Sequence, residues 1–326
     1  MLDFEKIGVI SDVHANYAAL EAALEEMASR KADAIFFLGD FITDGPDPQK
    51  TLRLVREAMD RWPTWLIRGN REQYLIDHQT HPEEKWTSGT TDGALLYTYE
   101  RISEEDICWF RQMPISLSFS SLSLCHGTPR LVKELMNVDG TNSASGEITN
   151  YYLQMMSVPL LLSGHTHRAG MTERYVPKEE SPYGEAYVKR IVNPGSVGLP
   201  HNHSPRASAA MLRKGSRLPS GMQLWEPELF EFDYDVERIV KAYRESELME
   251  MAPLWSAANI RFLQTGHNYI IKFIRRAMEL CQDDSLEASL AAGYVRGGQK
   301  EPPKMPLFSD IPAEIMERAA RDVGII

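Results

Sequence analysis

The chain has 326 residues, 43% hydrophobic and 25% charged, which excludes fibrous, collagen-like and disordered classes and provides material for a sizeable core. Its 46 acidic against 35 basic residues give a net charge of −11, so stable nucleic-acid or anionic-membrane binding through bulk charge is not expected, and a phosphate-bearing partner must be held locally. Cys108, Cys125 and Cys281 form no CxxC pair, Asp3 and Glu5 stand where a signal peptide carries basic charge, and no stretch approaches the ~18 apolar residues of a membrane span, so the expectation is a cytoplasmic protein.

Lys6–Ile10 reads as a strand, Asn16 as a helix N-cap, and Tyr17–Arg30 as an amphipathic helix through Leu20, Ala23, Leu24 and Met27. Ala34–Leu38 is the next strand, Pro48–Asp60 the next helix and Thr64–Ile67 a third strand, the pace of parallel βαβ units. Residues 79–112 interrupt this alternation with a polar stretch and then a helix that Ser103 and Asp106 cap, an insertion expected to act as a lid. Beyond it the pattern turns to strands: Ser116–Phe119, Leu122–Cys125, Val158–Ser163, Glu173–Val176 and Tyr187–Val192, with further candidates at 208–213 and 228–233. One mixed sheet or two sheets face to face would accommodate them.

Asn137–Glu147 reads as a polar loop near substrate, and Asn193–Gly198 as a structural turn. From Val236 the chain becomes helical: Val236–Met249, Leu254–Cys281 broken near Gly266, and a last helix from Ala313 after Pro312. Gly297–Leu307 reads as a linker within this tail. The expected division is residues 1–235 as the main domain and 236–326 as a helical extension, whose basic and aromatic residues suit packing on the main domain or a homo-oligomer face.

Five of the strands end in a potential metal donor: Asp12 and His14, Asp40, Asn70, His126, and His165 with His167. The spacings Asp12 to Asp40 and Asp40 to Asn70 are each about one βαβ repeat, which brings these residues to one sheet edge, where open α/β sheets bind ligands. A single strand-end Asp is usually a turn residue and a single His a hydrogen-bonded core residue. The coincidence of five strand ends carries the inference. All seven donors are oxygen or nitrogen, which suits Mn, Fe, Zn, Co or Ni, and seven suffice for two ions sharing one carboxylate, the arrangement that clamps both oxygens in phosphoryl transfer.

The strings SDVHAN, LGDFITDGPDP, RGNRE, CHGTP, SGHTH and NPGSVGLPHNHSPRA, in that order from Ile7 to Met211, resemble the calcineurin-like metallophosphoesterase family, in particular its compact bacterial and archaeal branch. The resemblance implies a four-layer α/β/β/α sandwich of two mixed sheets. It also implies a dinuclear centre, with Asp12, His14, Asp40 and His167 on one divalent ion and Asp40, Asn70, His126 and His165 on the other, Asp40 bridging and manganese favoured. Such a centre is locally positive despite the acidic chain, and a metal-bridging hydroxide would attack phosphorus in line.

Two positions depart from the family pattern. Arg71 stands where many members carry a His; it cannot donate a proton but can clamp a phosphate, which tilts the expectation toward monoesters with good leaving groups or phosphoanhydrides. His201 and His203 replace an Arg and acidic residues and are candidate substrate contacts. The expected activity is hydrolysis of a phosphate ester or anhydride, with diadenosine polyphosphates, mononucleotides and phosphodiesters as candidate nucleotide-type substrates. The competing readings are a catalytically weak scaffold or interaction protein of the same fold, against which the complete donor set speaks, and a nuclease, against which the net charge speaks.

Overall fold

The structure is a computed structural model, and it describes residues 2–83, 85–90, 92–138, 144–291 and 311–326. In chain order the elements are β1 (Lys6–Ile10), α1 (Tyr17–Ser29), β2 (Ala34–Phe37), α2 (Pro48–Arg61), β3 (Thr64–Leu66), α3 (Asn70–Thr80), α4 (Gly93–Tyr99), α5 (Glu104–Gln112), β4 (Ser116–Ser118), β5 (Leu122–Cys125) and α6 (Ala144–Met155). There follow β6 (Leu160–Ser163), β7 (Gly170–Val176), β8 (Tyr187–Asn193), β9 (Ala207–Arg217), β10 (Gln223–Phe232), α7 (Val236–Glu245), α8 (Leu248–Met251), α9 (Pro253–Thr265), α10 (Tyr269–Ala291) and α11 (Ala313–Asp322).

Two five-stranded mixed sheets form, in the orders β10-β9-β1-β2-β3 and β4-β5-β6-β8-β7. In the first, β1, β2 and β3 run parallel; in the second, β5, β6 and β8 do. The strands alternate so that Ile7, Val9, Phe36 and Leu38 of one sheet meet Leu122, Leu124, Leu160 and Leu162 of the other in a shared apolar layer. On the outer face of the first sheet, Ile10, Ile35 and Phe37 pack with Leu20 and Met27 of α1, Leu52 and Val55 of α2, and Ile107 and Phe110 of α5. On the outer face of the second, Leu161 and Ile191 pack with Leu153 of α6. This is the four-layer α/β/β/α sandwich expected from the sequence, with the helical extension present.

Local signals explain most boundaries. The Asn16 side chain accepts from Ala19 N at 3.1 Å and opens α1, while Asp47 accepts from Lys50 N ahead of Pro48 in α2. Ser103 and Asp106 form the reciprocal cap of α5. Three helices carry no clear sequence pattern. Of these, α3 begins on Gly69 and Asn70, α4 is short, and α6 (ASGEITNYYLQM) opens with weak helix formers, replacing part of the loop expected at Asn137–Glu147, of which residues 139–143 lie outside the described residues. Tertiary contacts hold α6: the Thr149 hydroxyl donates to Asn137 O at 2.7 Å, and Leu153 enters the outer core.

The candidates at 208–213 and 228–233 are the inner parts of a longer antiparallel pair, β9 and β10, whose Arg213 and Glu228 bond across the ladder. The expected helix Val236–Met249 is two helices, α7 ending at Glu245 and α8 starting at Leu248, with Ser246 extended between them. Gly266 ends α9 in the left-handed conformation, φ 70°, and a Cβ there would stand 2.3 Å from Ser204 N. The tail packs on the sandwich through Ile239, Val240 and Tyr243 of α7 and Phe262 and Leu263 of α9, against Tyr17, Ala94, Tyr97 and Leu199. The expected linker Gly297–Leu307 lies outside the described residues.

Candidate metal centre

The parallel strands end on one edge, and the donors follow them: Asp12 and His14 after β1, Asp40 after β2, Asn70 at the start of α3 after β3, His126 after β5, and His165 and His167 after β6. Five of these residues have left-handed backbone: Asp12 (φ 54°), His14 (50°), Asp40 (54°), His165 (66°) and His167 (58°). Each such position costs a non-glycine residue about 1–3 kcal/mol and persists where surrounding bonds fix it.

Those bonds are present. Asp12 N donates to Gly39 O at 3.1 Å, and His14 N to Asp40 O at 2.9 Å, which ties the two ligand loops side by side. The buried Glu72 carboxylate accepts from Gly69 N (2.8 Å), Asp40 N (2.9 Å) and Phe41 N (2.8 Å), pinning the Asp40 loop to α3. Burial, reinforced by Asp40, pushes the Glu72 carboxyl up to about 7. His165 N donates to both oxygens of Asp12 at 3.2 and 3.1 Å. Asn193 Nδ2 donates to Gly164 O at 2.6 Å, and Ser196 Oγ to Asp12 O at 2.7 Å, so the NPGSVG turn fixes the GHTH turn and the Asp12 backbone. Gly69 leaves no space for a side chain, since a Cβ there would lie 2.1 Å from Asp40 Oδ1.

The side chains converge. Asp12, His14, Asp40 and His167 each bring a ligand atom within 4.8 Å of the others, and so do Asp40, His126 and His165; Asp40 belongs to both groups. Asn70 Oδ1 adds an oxygen 3.0 Å from His126 Nε2.

The tautomers decide what this cluster fits. His126 Nδ1 lies 2.6 Å from Leu38 O, His167 Nδ1 lies 2.9 Å from Leu199 O, and His165 Nε2 lies 3.2 Å from Lys133 O. A carbonyl only accepts, so each of these nitrogens carries the hydrogen, and in the neutral ring the remaining nitrogen presents a lone pair. His14 Nδ1 lies 3.1 Å from Asp44 Oδ2 without the geometry of a hydrogen bond, and His14 turns its ring into the cluster beside His167.

Lone pairs then face lone pairs. His167 Nε2 is 3.3 Å from Asp12 Oδ1 and His126 Nε2 is 3.3 Å from Asp40 Oδ2, while His14 Nε2 and His167 Nε2 are 3.0 Å apart. Acceptors arranged this way repel unless a cation joins them, and outer hydrogen bonds of this kind orient metal-binding histidines. The residues present therefore fit divalent ions. Their all-oxygen and nitrogen character suits Mn, Fe, Zn, Co or Ni and gives no thiolate to a softer metal.

The titration behaviour has the same origin. Burial pushes Asp12 and Asp40 up, but the neighbouring groups together outweigh it: His167 and His126 hold Asp12 at about 2, and His126, His14 and Arg71 hold Asp40 well below the carboxylate range. Burial lowers His126, yet Asp40 and Asp12 lift it to about 9; burial and His126 together lower His165 to about 4. Both acids are thus ionised ligands at neutral pH, and at His126 a metal ion competes with a proton.

A second layer surrounds these donors. Asp44, buried and at φ 67°, puts Oδ2 3.1 Å from His14 Nδ1 and 2.9 Å from Arg71 Nη2, while Oδ1 accepts from Trp255 Nε1 at 2.9 Å. Its backbone oxygen accepts from the Tyr243 hydroxyl and from Asn259 Nδ2. Burial raises the Asp44 carboxyl, but Arg71 and His14 bring it down to about 2. Arg71 also donates its backbone N–H to Asp40 Oδ1 at 2.8 Å, and its buried Nε has no hydrogen-bond partner. The His201 ring lies tilted, 4.8 Å from the His167 ring and 5.1 Å from that of Phe262, with Nε2 2.8 Å from Asn268 Nδ2. His203 is exposed, its ring 5.7 Å from that of His267.

The structure brings all seven sequence-derived donors together. Sequence reasoning missed Asp44, Glu72 and Trp255 as supports. The first two sit inside the strings LGDFITDGPDP and RGNRE, so their position was a usable signal; Trp255 has none.

Comparison with known proteins agrees with this geometry. Residues 6–215 match the Calcineurin-like phosphoesterase superfamily domain. A protein of Methanocaldococcus jannaschii, uncharacterized protein MJ0912, is 23% identical over 258 residues, 75% of this chain and 94% of that one. The crystal structure of a metallophosphoesterase from Sphaerobacter thermophilus superposes with a TM-score of 0.59 at 24% identity, covering 81% of this chain and 100% of that one. The hypothetical protein PH1004 of Pyrococcus horikoshii OT3 does so with 0.60 at 19%, covering 81% and 99%. At these identities the two structures establish the shared fold.

Proposed function

The chain belongs to the calcineurin-like phosphoesterase superfamily, and from that premise we propose that it is a metal-dependent phosphoester or phosphoanhydride hydrolase acting on a small phosphate-bearing molecule. Asp12, His14, Asp40 and His167 would hold one divalent ion, and Asp40, Asn70, His126 and His165 the other. When bound, two such ions supply positive charge for a phosphate oxyanion and acidify a water toward use at neutral pH.

The observation that carries this reading is the set of four imidazoles gathered with Asp12 and Asp40, three of them with one nitrogen facing a backbone carbonyl so that the other is left to a metal ion. Asp40 takes the bridging role because it belongs to both groups of ligand atoms. Arg71, whose Nη2 pairs with Asp44 Oδ2 beside the donors, would be the residue to clamp a phosphate oxygen.

Because Arg71 holds its proton at any physiological pH, it supplies no general acid. Substrates whose leaving group needs no protonation, such as activated monoesters and anhydrides of nucleotide type, are favoured over unactivated diesters. His201 is already bonded to Asn268, so substrate contact on the tail side falls to His203. The test is hydrolysis of p-nitrophenyl phosphate, bis-p-nitrophenyl phosphate, a cyclic nucleotide and a diadenosine polyphosphate across Mn, Fe, Zn, Ni and Mg. Turnover of the monoester or anhydride above the diester is expected; equal turnover of all four overturns the assignment of Arg71.

A further inference from the structure

The C-terminal helices border a half-open pocket of about 560 Å³ between α9, α10, α11 and the Gly89–Thr90 turn. An engineered apolar cavity of about 150 Å³ already stays dry and takes up benzene, and small-molecule pockets measure about 300–1,000 Å³. This cavity falls in the second range.

Its lining fixes the ligand chemistry. Leu254, Trp255, Phe273, Ile311 and Met316 supply the walls. Among the described lining residues only Thr90, Trp255 and Glu317 carry polar side-chain atoms, and each is already bonded: Thr90 Oγ1 donates to Thr87 O at 2.6 Å, Trp255 Nε1 to Asp44 Oδ1 at 2.9 Å, and Glu317 pairs with Arg321 at 2.7 Å. A phosphate, sugar or charged headgroup would lose its water and find no partner. An uncharged apolar molecule meets no such penalty.

The cavity also has a defined relation to the metal centre. Trp255 forms part of its wall and holds one oxygen of the buried Asp44, whose other oxygen faces His14 Nδ1 and Arg71 Nη2. Trp255 is thus a lining residue of the pocket with a direct bond to the carboxylate that supports His14 and Arg71. We propose that this cavity is a binding site for an uncharged apolar small molecule, a hydrocarbon chain or ring, whose occupancy bears on Asp44 through Trp255. The proposal is independent of which reaction the metal centre performs.

The test uses the full chain, decan-1-ol and naphthalene. Equilibrium dialysis with and without chelator should give saturable binding at one site per chain for at least one probe, unchanged by metal removal. Ala257→Phe, which fills the cavity from α9, should weaken binding at least tenfold; if that variant does not fold, Met316→Trp fills it from α11. In a nitrogen–proton NMR spectrum the Trp255 indole signal, assigned by its loss in Trp255→Phe, should move on adding the bound probe, while that of Trp62, which donates to Ala32 O in the sandwich, stays in place. Absence of saturable binding, or binding undiminished in the filled variant, overturns the site. Binding that leaves the Trp255 signal unmoved overturns the link to Asp44.

Discussion

Around the metal centre, the sandwich and the helical tail do different work. The sandwich supplies every donor, each set on a strand end and fixed by backbone bonds, with Asp12, His14, Asp40, His165 and His167 in left-handed conformation. The tail supplies no donor to either group; it reaches the site through side chains, Tyr243, Trp255 and Asn259 on Asp44 and Asn268 on His201. Donor placement is therefore a property of sheet topology, whereas the setting of the second layer depends on how helices far along the chain pack. Changes in the sandwich should remove metal, and changes in the tail should alter the site in smaller steps.

The largest effect is expected where the two ligand groups meet. Asp40→Asn removes the shared charge and should lower hydrolysis by about 10²–10³-fold, with metal loss seen by elemental analysis. Retained metal with full activity would break the comparison at its first term. Asp44→Asn keeps the shape but removes the charge facing His14 and Arg71, and a fall of about 10–100-fold in metal affinity by calorimetry is expected, as for other outer partners of metal ligands. Trp255→Phe leaves a buried carboxylate oxygen short of one donor; a stability loss of about 1–3 kcal/mol by denaturant unfolding is expected, with metal affinity falling less than in Asp44→Asn. The smallest change is Arg238→Ala, which breaks the partly exposed pair of the tail with Glu21. It should cost about 0.2–1 kcal/mol and leave metal content unchanged.

How far the sequence led follows the same division. Strand ends read well, because a buried parallel strand is a short apolar run and its terminal Asp, Asn or His stands out; Asp12, Asp40, Asn70 and His126 were all found that way. The strand spacing also placed β1, β2 and β3 side by side. Helix α6 was hidden because Ser, Gly, Asn and Thr at its start favour loops, and only the sheet beneath it overrides that preference. Glu72 stood inside the RGNRE string, but its role as a support could not be read there, because its three partners are backbone N–H groups, which leave no mark in a sequence. Trp255 lies 211 positions from Asp44, and a contact of that range has no periodicity to betray it. His201 and His203, equal in the sequence, differ only once Phe262 and Asn268 are packed against the first.

The central claim is that Asp40 joins two groups of donors into one dinuclear site. The direct measurement is the metal-to-chain ratio, by elemental analysis of native protein and of Asp40→Asn after reconstitution with Mn and dialysis, alongside p-nitrophenyl phosphate hydrolysis by the same samples. The account predicts two ions per native chain, with both ions and hydrolysis lost together in the variant. Undiminished hydrolysis by protein free of metal would contradict it.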